Sequence, residues 1–158
     1  MTPWWEYALR LMLAAVLGAL IGWEREVRGK PAGLRTLMLV SLSAAVYVAA
    51  SEQAALRHGE TIEPGRLMSG VAQGIGFLGA GAILQARGEV RWLTTAASLW
   101  AAAALGLAVG LGMYYIAIIA AFLVFGTLRW VVFVEDRWMH KGTDKSRTQQ
   151  DEGKPNES

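Results

Sequence analysis

From Trp92 to Leu128 the chain runs 37 residues without a charged side chain. At about 1.5 Å of helical rise per residue such a stretch is roughly 55 Å long, whereas the hydrocarbon core of a bilayer is only ~30 Å thick. One helix cannot use that length, so the run is expected to cross a membrane twice. Gly110-Leu111-Gly112 marks the turn, and Tyr114 and Tyr115 follow it, where aromatic rings settle at a lipid–water boundary.

Hydrophobic residues make up 54% of the chain and charge is confined to short intervals, which excludes an ordinary soluble domain. A length of 158 residues leaves room for one compact bundle. The absence of cysteine removes disulfides, thiolate metal sites and cysteine nucleophiles, and leaves the redox compartment unreadable. A net charge of +2 does not point to nucleic acid, because the basic residues flank apolar spans and form no aromatic-interleaved patch.

Three further spans are expected before the double crossing, giving an all-α membrane protein of five helices over residues 1–134. The first runs from about Trp4 to Trp23, with Thr2-Pro3 as a helix start. It is not expected to be a cleaved signal peptide, since no Lys or Arg precedes Arg10 and charge follows the span. Glu6 and Arg10, four apart, suit a helical ion pair at the membrane edge. The second span opens at Pro31 and is uncharged from Thr36 to Ser51; the third covers Leu67 to Ala86. Between them Glu52 to Arg66 reads as a polar loop, with His58 a solvated residue in it. Residues 135–158 read as a polar, disordered cytoplasmic tail.

Five crossings place eleven of the fifteen Lys and Arg residues on one side, among them Arg25, Arg28, Lys30, Arg35, Arg87 and Arg91, and only Arg57 and Arg66 on the other. The positive-inside rule then puts the N-terminus outside and the C-terminus in the cytoplasm.

The third span carries Gly70, Gly74, Gly76, Gly79 and Gly81 within twelve residues. Each costs an isolated helix about 1 kcal/mol relative to alanine, so close helix packing on two smooth faces is the expected compensation. Gly74-Ile75-Gly76-Phe77-Leu78-Gly79 matches the GxGxxG dinucleotide fingerprint, but it lacks the preceding strand and the acidic partner that the fingerprint requires. Gln73 needs an amide partner in hydrocarbon and reads as a helix–helix hydrogen bond, with a polar permeation path as the alternative. Thr94 and Ser98 share a helical face, and hydroxyls there bond back to the preceding turn or to a neighbour; Thr94 or Thr95 is a candidate ligand contact.

Four ordered blocks, Gly18-Ala19-Leu20-Ile21-Gly22-Trp23-Glu24-Arg25-Glu26, Lys30-Pro31-Ala32-Gly33-Leu34-Arg35-Thr36, Ser69-Gly70 through Gly81, and Leu93-Thr94-Thr95-Ala96-Ala97-Ser98-Leu99-Trp100, closely resemble the membrane domain of the MgtC/SapB family. The resemblance covers roughly residues 7 to 133. It implies a bacterial inner-membrane protein linked to magnesium homeostasis, to growth under magnesium limitation and to virulence through survival in host cells. It further implies a regulator that restrains the F-type ATP synthase, although relatives have been called magnesium transporters. Many relatives carry a C-terminal ACT-like domain, for which only the polar tail stands here.

Joined to the topology, the blocks place Glu24, Arg25, Arg35 and Thr36 on the cytoplasmic side with Arg91, Thr94, Thr95 and Ser98. That face is the expected functional surface, with a Glu24–Arg35 ion pair fixing the first loop. A membrane-protein partner is expected, with self-association on the small-residue faces as a second expectation; no enzyme, no cofactor, no metal site and no nucleic acid is expected. The alternative function is transport of magnesium or another ion. That reading lacks a carboxylate deeper in the spans than Glu6 and Glu24, and magnesium favours carboxylate oxygens with retained waters.

Overall fold

In a computed structural model, residues 3–84 and 92–130 are described. The order is α1 (Trp4–Val27), α2 (Leu34–His58), α3 (Pro64–Leu84) and α4 (Leu93–Gly110), then α5 (Tyr114–Trp130). By length and composition α1, α2 and α4 can each cross a membrane. The expected five-helix, all-α architecture is therefore present. The described residues up to Phe125 form one compact unit; a second begins at Gly126, and its described residues, 126–130, are helical. The polar tail 135–158 lies outside the described residues.

The helices start and stop for local reasons. At the end of α1, Gly29 takes φ +63°, and the Gly29 and Lys30 amides donate to the carbonyls of Glu26 and Arg25. This satisfies two carbonyls that the helix end leaves without partners. Gly112, at φ +75°, ends α4 in the same way, with Met113 N–H donating to Ala108 O at 2.8 Å. Of the two glycines that mark this turn in the sequence, Gly112 makes the bend, whereas Gly110 is a packing residue.

The boundary of α2 differs from the sequence expectation. The helix continues through Glu52 and Arg57 to His58, so the polar loop shrinks to residues 59–63. The reason is a partner: Glu52 receives the Arg10 guanidinium of α1. The α3 helix is continuous from Pro64 to Leu84, so the GxGxxG stretch is helical and no carbonyls are freed by a break there.

The centre of the unit is α2, clasped by α1 and α4 through two glycine pairs spaced four apart. On α1, a Cβ added at Gly18 would lie 2.6 Å from Leu37 O, and one at Gly22 would lie 2.6 Å from Leu34 Cα. On α4, Gly106 abuts the Ser41 carbonyl, and a Cβ at Gly110 would lie 2.8 Å from Val48 Cβ. Where lipid removes the hydrophobic incentive for helices to associate, backbone approach of this kind supplies van der Waals contact instead. Ile21, Leu37, Ala44, Val48, Ala102 and Leu105 fill the remaining interior.

The glycines of α3 behave otherwise, correcting the expectation of close packing on two faces. A Cβ at Gly70, Gly74, Gly76 or Gly81 would meet nothing within 4 Å, and only Gly79 faces a neighbour, Ala96 Cβ at 3.6 Å. α3 leans on α4 and barely touches α2. Large apolar side chains such as Met12, Val16, Phe77, Ile119 and Phe122 point outward, a surface suited to lipid and unsuited to water.

Candidate functional site

The end of the unit where α1 finishes and α4 begins holds the densest buried charge. Glu24 and Arg25 are each 3% exposed, and Thr95 and Ser98 lie buried opposite them on α4. Burying a carboxylate and a guanidinium is costly unless they are paired. Glu24 is paired by Arg28, which caps the end of α1 one turn on, and by Arg25 Nη1 at 3.9 Å. Arg25 Nη2 then donates to Thr95 Oγ1 at 3.3 Å, tying α1 to α4. Neither Glu24 oxygen accepts a well-aligned hydrogen bond from a described residue, and Arg25 Nε donates none to one. The cluster is thus held by charge more than by directional bonds.

The first loop is fixed by a different residue from the expected one. Glu24 makes no ion pair with Arg35, which is exposed on the first turn of α2. Arg28 lies at the C-cap of α1, four residues from Glu24, and is already aligned, so it takes the carboxylate. Glu26 holds the loop: its Oε2 accepts the Leu34 backbone N–H at 2.7 Å, capping the start of α2. On the other side of the loop, Lys30 Nζ lies 5.5 Å from the centre of the Trp92 ring, a cation–π contact with the residue that opens α4. Trp92 itself sits at φ +67°, a left-handed conformation uncommon for a bulky residue.

The sequence-predicted residues therefore divide. Glu24, Arg25, Thr95 and Ser98 are buried at this end; Arg35, Thr36 and Thr94 are exposed at its rim. Ser98 Oγ donates to the Thr94 carbonyl at 2.7 Å, the bond back to the preceding turn that its position suggests. Gln73 is exposed midway along α3, hydrogen-bonded to no described residue, and is not part of the cluster. Arg91 lies outside the described residues. Among the described residues, no three His, Cys, Asp or Glu gather as a metal site.

The opposite end carries a network that the sequence reading reached only in part. Arg10 does pair with Glu6, at 2.6 Å, but it also reaches Glu52 Oε1 at 3.2 Å, the Gly110 carbonyl at 2.7 Å and the Tyr114 hydroxyl at 3.2 Å. One guanidinium thus ties α1, α2, α4 and α5. The fork of donors on arginine makes such a junction possible where a lysine could not. The signal present in the sequence was a charged residue within an apolar run, which demands partners.

Fold and site together define a polytopic helical membrane protein whose buried charges are paired among its own helices. The MgtC family profile matches residues 11–137, and the chain belongs to that family. It is 43% identical over 118 residues to Protein MgtC of Salmonella typhimurium, covering 75% of this chain and 49% of that protein. It is 41% identical over 118 residues to the putative magnesium transporter YhiD of Escherichia coli, covering 72% of this chain and 54% of that one. An uncharacterised Haemophilus influenzae protein is 39% identical over 145 residues, covering 88% of this chain and 60% of its own length. The chain thus spans about half of the curated relatives it matches. No solved structure matches it.

Proposed function

We propose that the chain is a non-enzymatic regulator in the bacterial inner membrane, of the MgtC type, serving magnesium homeostasis by binding another membrane complex. The F-type ATP synthase is the first candidate for that complex, and the Arg25 end, facing the cytoplasm, is the docking face. Buried Glu24, Arg25 and Thr95, with half-buried Arg28, hold the face in shape, while exposed Arg35, Thr36 and Thr94 meet the partner.

One observation supports regulation over transport. The interior between α1, α2 and α4 is closed by backbone contact at Gly18, Gly22, Gly106 and Gly110, which leaves no lane for a hydrated ion along the axis of the clasp. The name given to YhiD, a putative magnesium transporter, favours the second reading, in which magnesium passes by a route outside this clasp.

The test is affinity isolation from membranes of magnesium-limited cells. ATP synthase subunits should co-purify with the wild-type chain and be lost with Arg35→Ala or Thr94→Ala at unchanged membrane abundance. Co-purification unaffected by either change would remove the Arg25 end as the docking face.

A further inference from the structure

Because α3 leans on α4 and away from α2, a cleft of about 630 Å³ opens between α2 and α3. Its walls are apolar: Val40 and Tyr47 on α2, Gly70, Gly74 and Leu78 on α3. The volume falls in the ~300–1,000 Å³ range of pockets that hold small molecules and cofactors. Gly70 and Gly74 line it, and a Cβ at either position would meet no atom within 4 Å. This gives the glycines of α3 a use that packing within the chain does not.

Arg66 stands at one end of the cleft, in the first turn of α3. Its side chain is exposed and forms no ion pair or hydrogen bond with a described residue, although Glu60 and Glu63 line the adjoining loop recess. At the end of a membrane helix, a guanidinium lies at headgroup depth, where it pairs with phosphate through short, charge-assisted bonds.

We propose that the cleft holds an acyl chain of a membrane phospholipid whose phosphate rests on Arg66. Charge and shape both select this occupant. A phosphodiester above a hydrocarbon chain matches one cation above an apolar slot. An unfilled apolar slot would forfeit dispersion contacts along both helices, and lipid is the solvent at hand. The inference is independent of the regulatory reading.

The test uses the full chain in vesicles of phosphatidylethanolamine and phosphatidylglycerol carrying a trace of phosphatidylglycerol with a photoactivatable diazirine in its acyl chain. Labelled peptides are mapped by mass spectrometry. Labelling should concentrate on residues 39–47 and 67–78, exceeding that of the outward face of α5 at Ile119 and Phe122. Gly74→Leu should abolish the excess, and Arg66→Gln should reduce it by about tenfold, the worth of one charge-assisted bond. Both should leave labelling at Ile119 unchanged and thermal stability in detergent no lower than that of the wild type. Uniform labelling of all outward faces, or an excess that survives both substitutions, would overturn the proposal. So would protection of the cleft together with disulfide formation between copies of a Tyr47→Cys variant, which the cysteine-free chain reports cleanly; that result would assign the cleft to a second copy.

Discussion

The Ser41 hydroxyl donates to the Ala14 carbonyl at 2.7 Å, and the Ser41 backbone carbonyl faces Gly106 on the other side of α2. One fully buried residue thus stands at the point where α1, α2 and α4 come closest. Its hydroxyl satisfies itself in hydrocarbon, and its small size lets two glycine faces close on it.

The first prediction concerns the sign of glycine substitutions. Gly106→Ala should destabilise the protein by about 2 kcal/mol, since its methyl group has no space beside Ser41. Gly70→Ala and Gly76→Ala should be neutral or stabilise by up to about 1 kcal/mol, because alanine favours the helix and the space is open. Ser41→Ala should fall between, at a loss of about 1 kcal/mol. Unfolding in mixed detergent micelles, followed by circular dichroism, orders the variants.

Arg10 is a structural junction. Arg10→Ala strands Glu52 and frees Tyr114, and should cost about 2–3 kcal/mol, with Arg10→Lys recovering less than half. A double-mutant cycle with Glu52→Gln checks the pairing, and coupling above about 0.5 kcal/mol is expected.

At the other end, burial and exposure separate stability from function. Glu24→Gln removes the buried carboxylate that Arg25 and Arg28 face and should lower stability by about 2–3 kcal/mol. Arg35→Ala, on the exposed rim, should change stability by no more than about 0.5 kcal/mol while abolishing the growth phenotype at low magnesium. Melting curves and growth assays on the same two variants give the comparison.

Glu26→Ala removes the cap on α2 and should cost about 1 kcal/mol. Hydrogen exchange should speed at the amides of Leu34 to Thr36 and remain unchanged at Val48.

The helices were legible because lipid makes the hydropathy of a segment decisive: charge-free runs became α1 to α5 with small errors at their ends. The largest error, at the end of α2, arose because Glu52 looks like a loop residue until Arg10 is known to neutralise it. The tight glycines were harder to read. Glycine density drew attention to α3, whereas what matters is a neighbour at the right spacing, and Gly18–Gly22 and Gly106–Gly110 have one in α2. The convergence of Glu24, Arg25 and Thr95 followed from topology, but Glu24's partner did not. Arg28 and Arg35 were equally basic in sequence, and helical geometry chose the nearer. One residue separates exposed Thr94 from buried Thr95, a rotation of about 100° that no composition argument resolves.

Magnesium flux tests the central claim, that this protein regulates without conducting, most directly. The purified chain is sealed into vesicles holding a magnesium-sensitive dye, and magnesium is added outside. Dye response indistinguishable from protein-free vesicles, with or without a membrane potential, is the expected result. Influx that scales with the amount of protein would contradict the account, and would place an ion path outside the clasp formed by α1, α2 and α4.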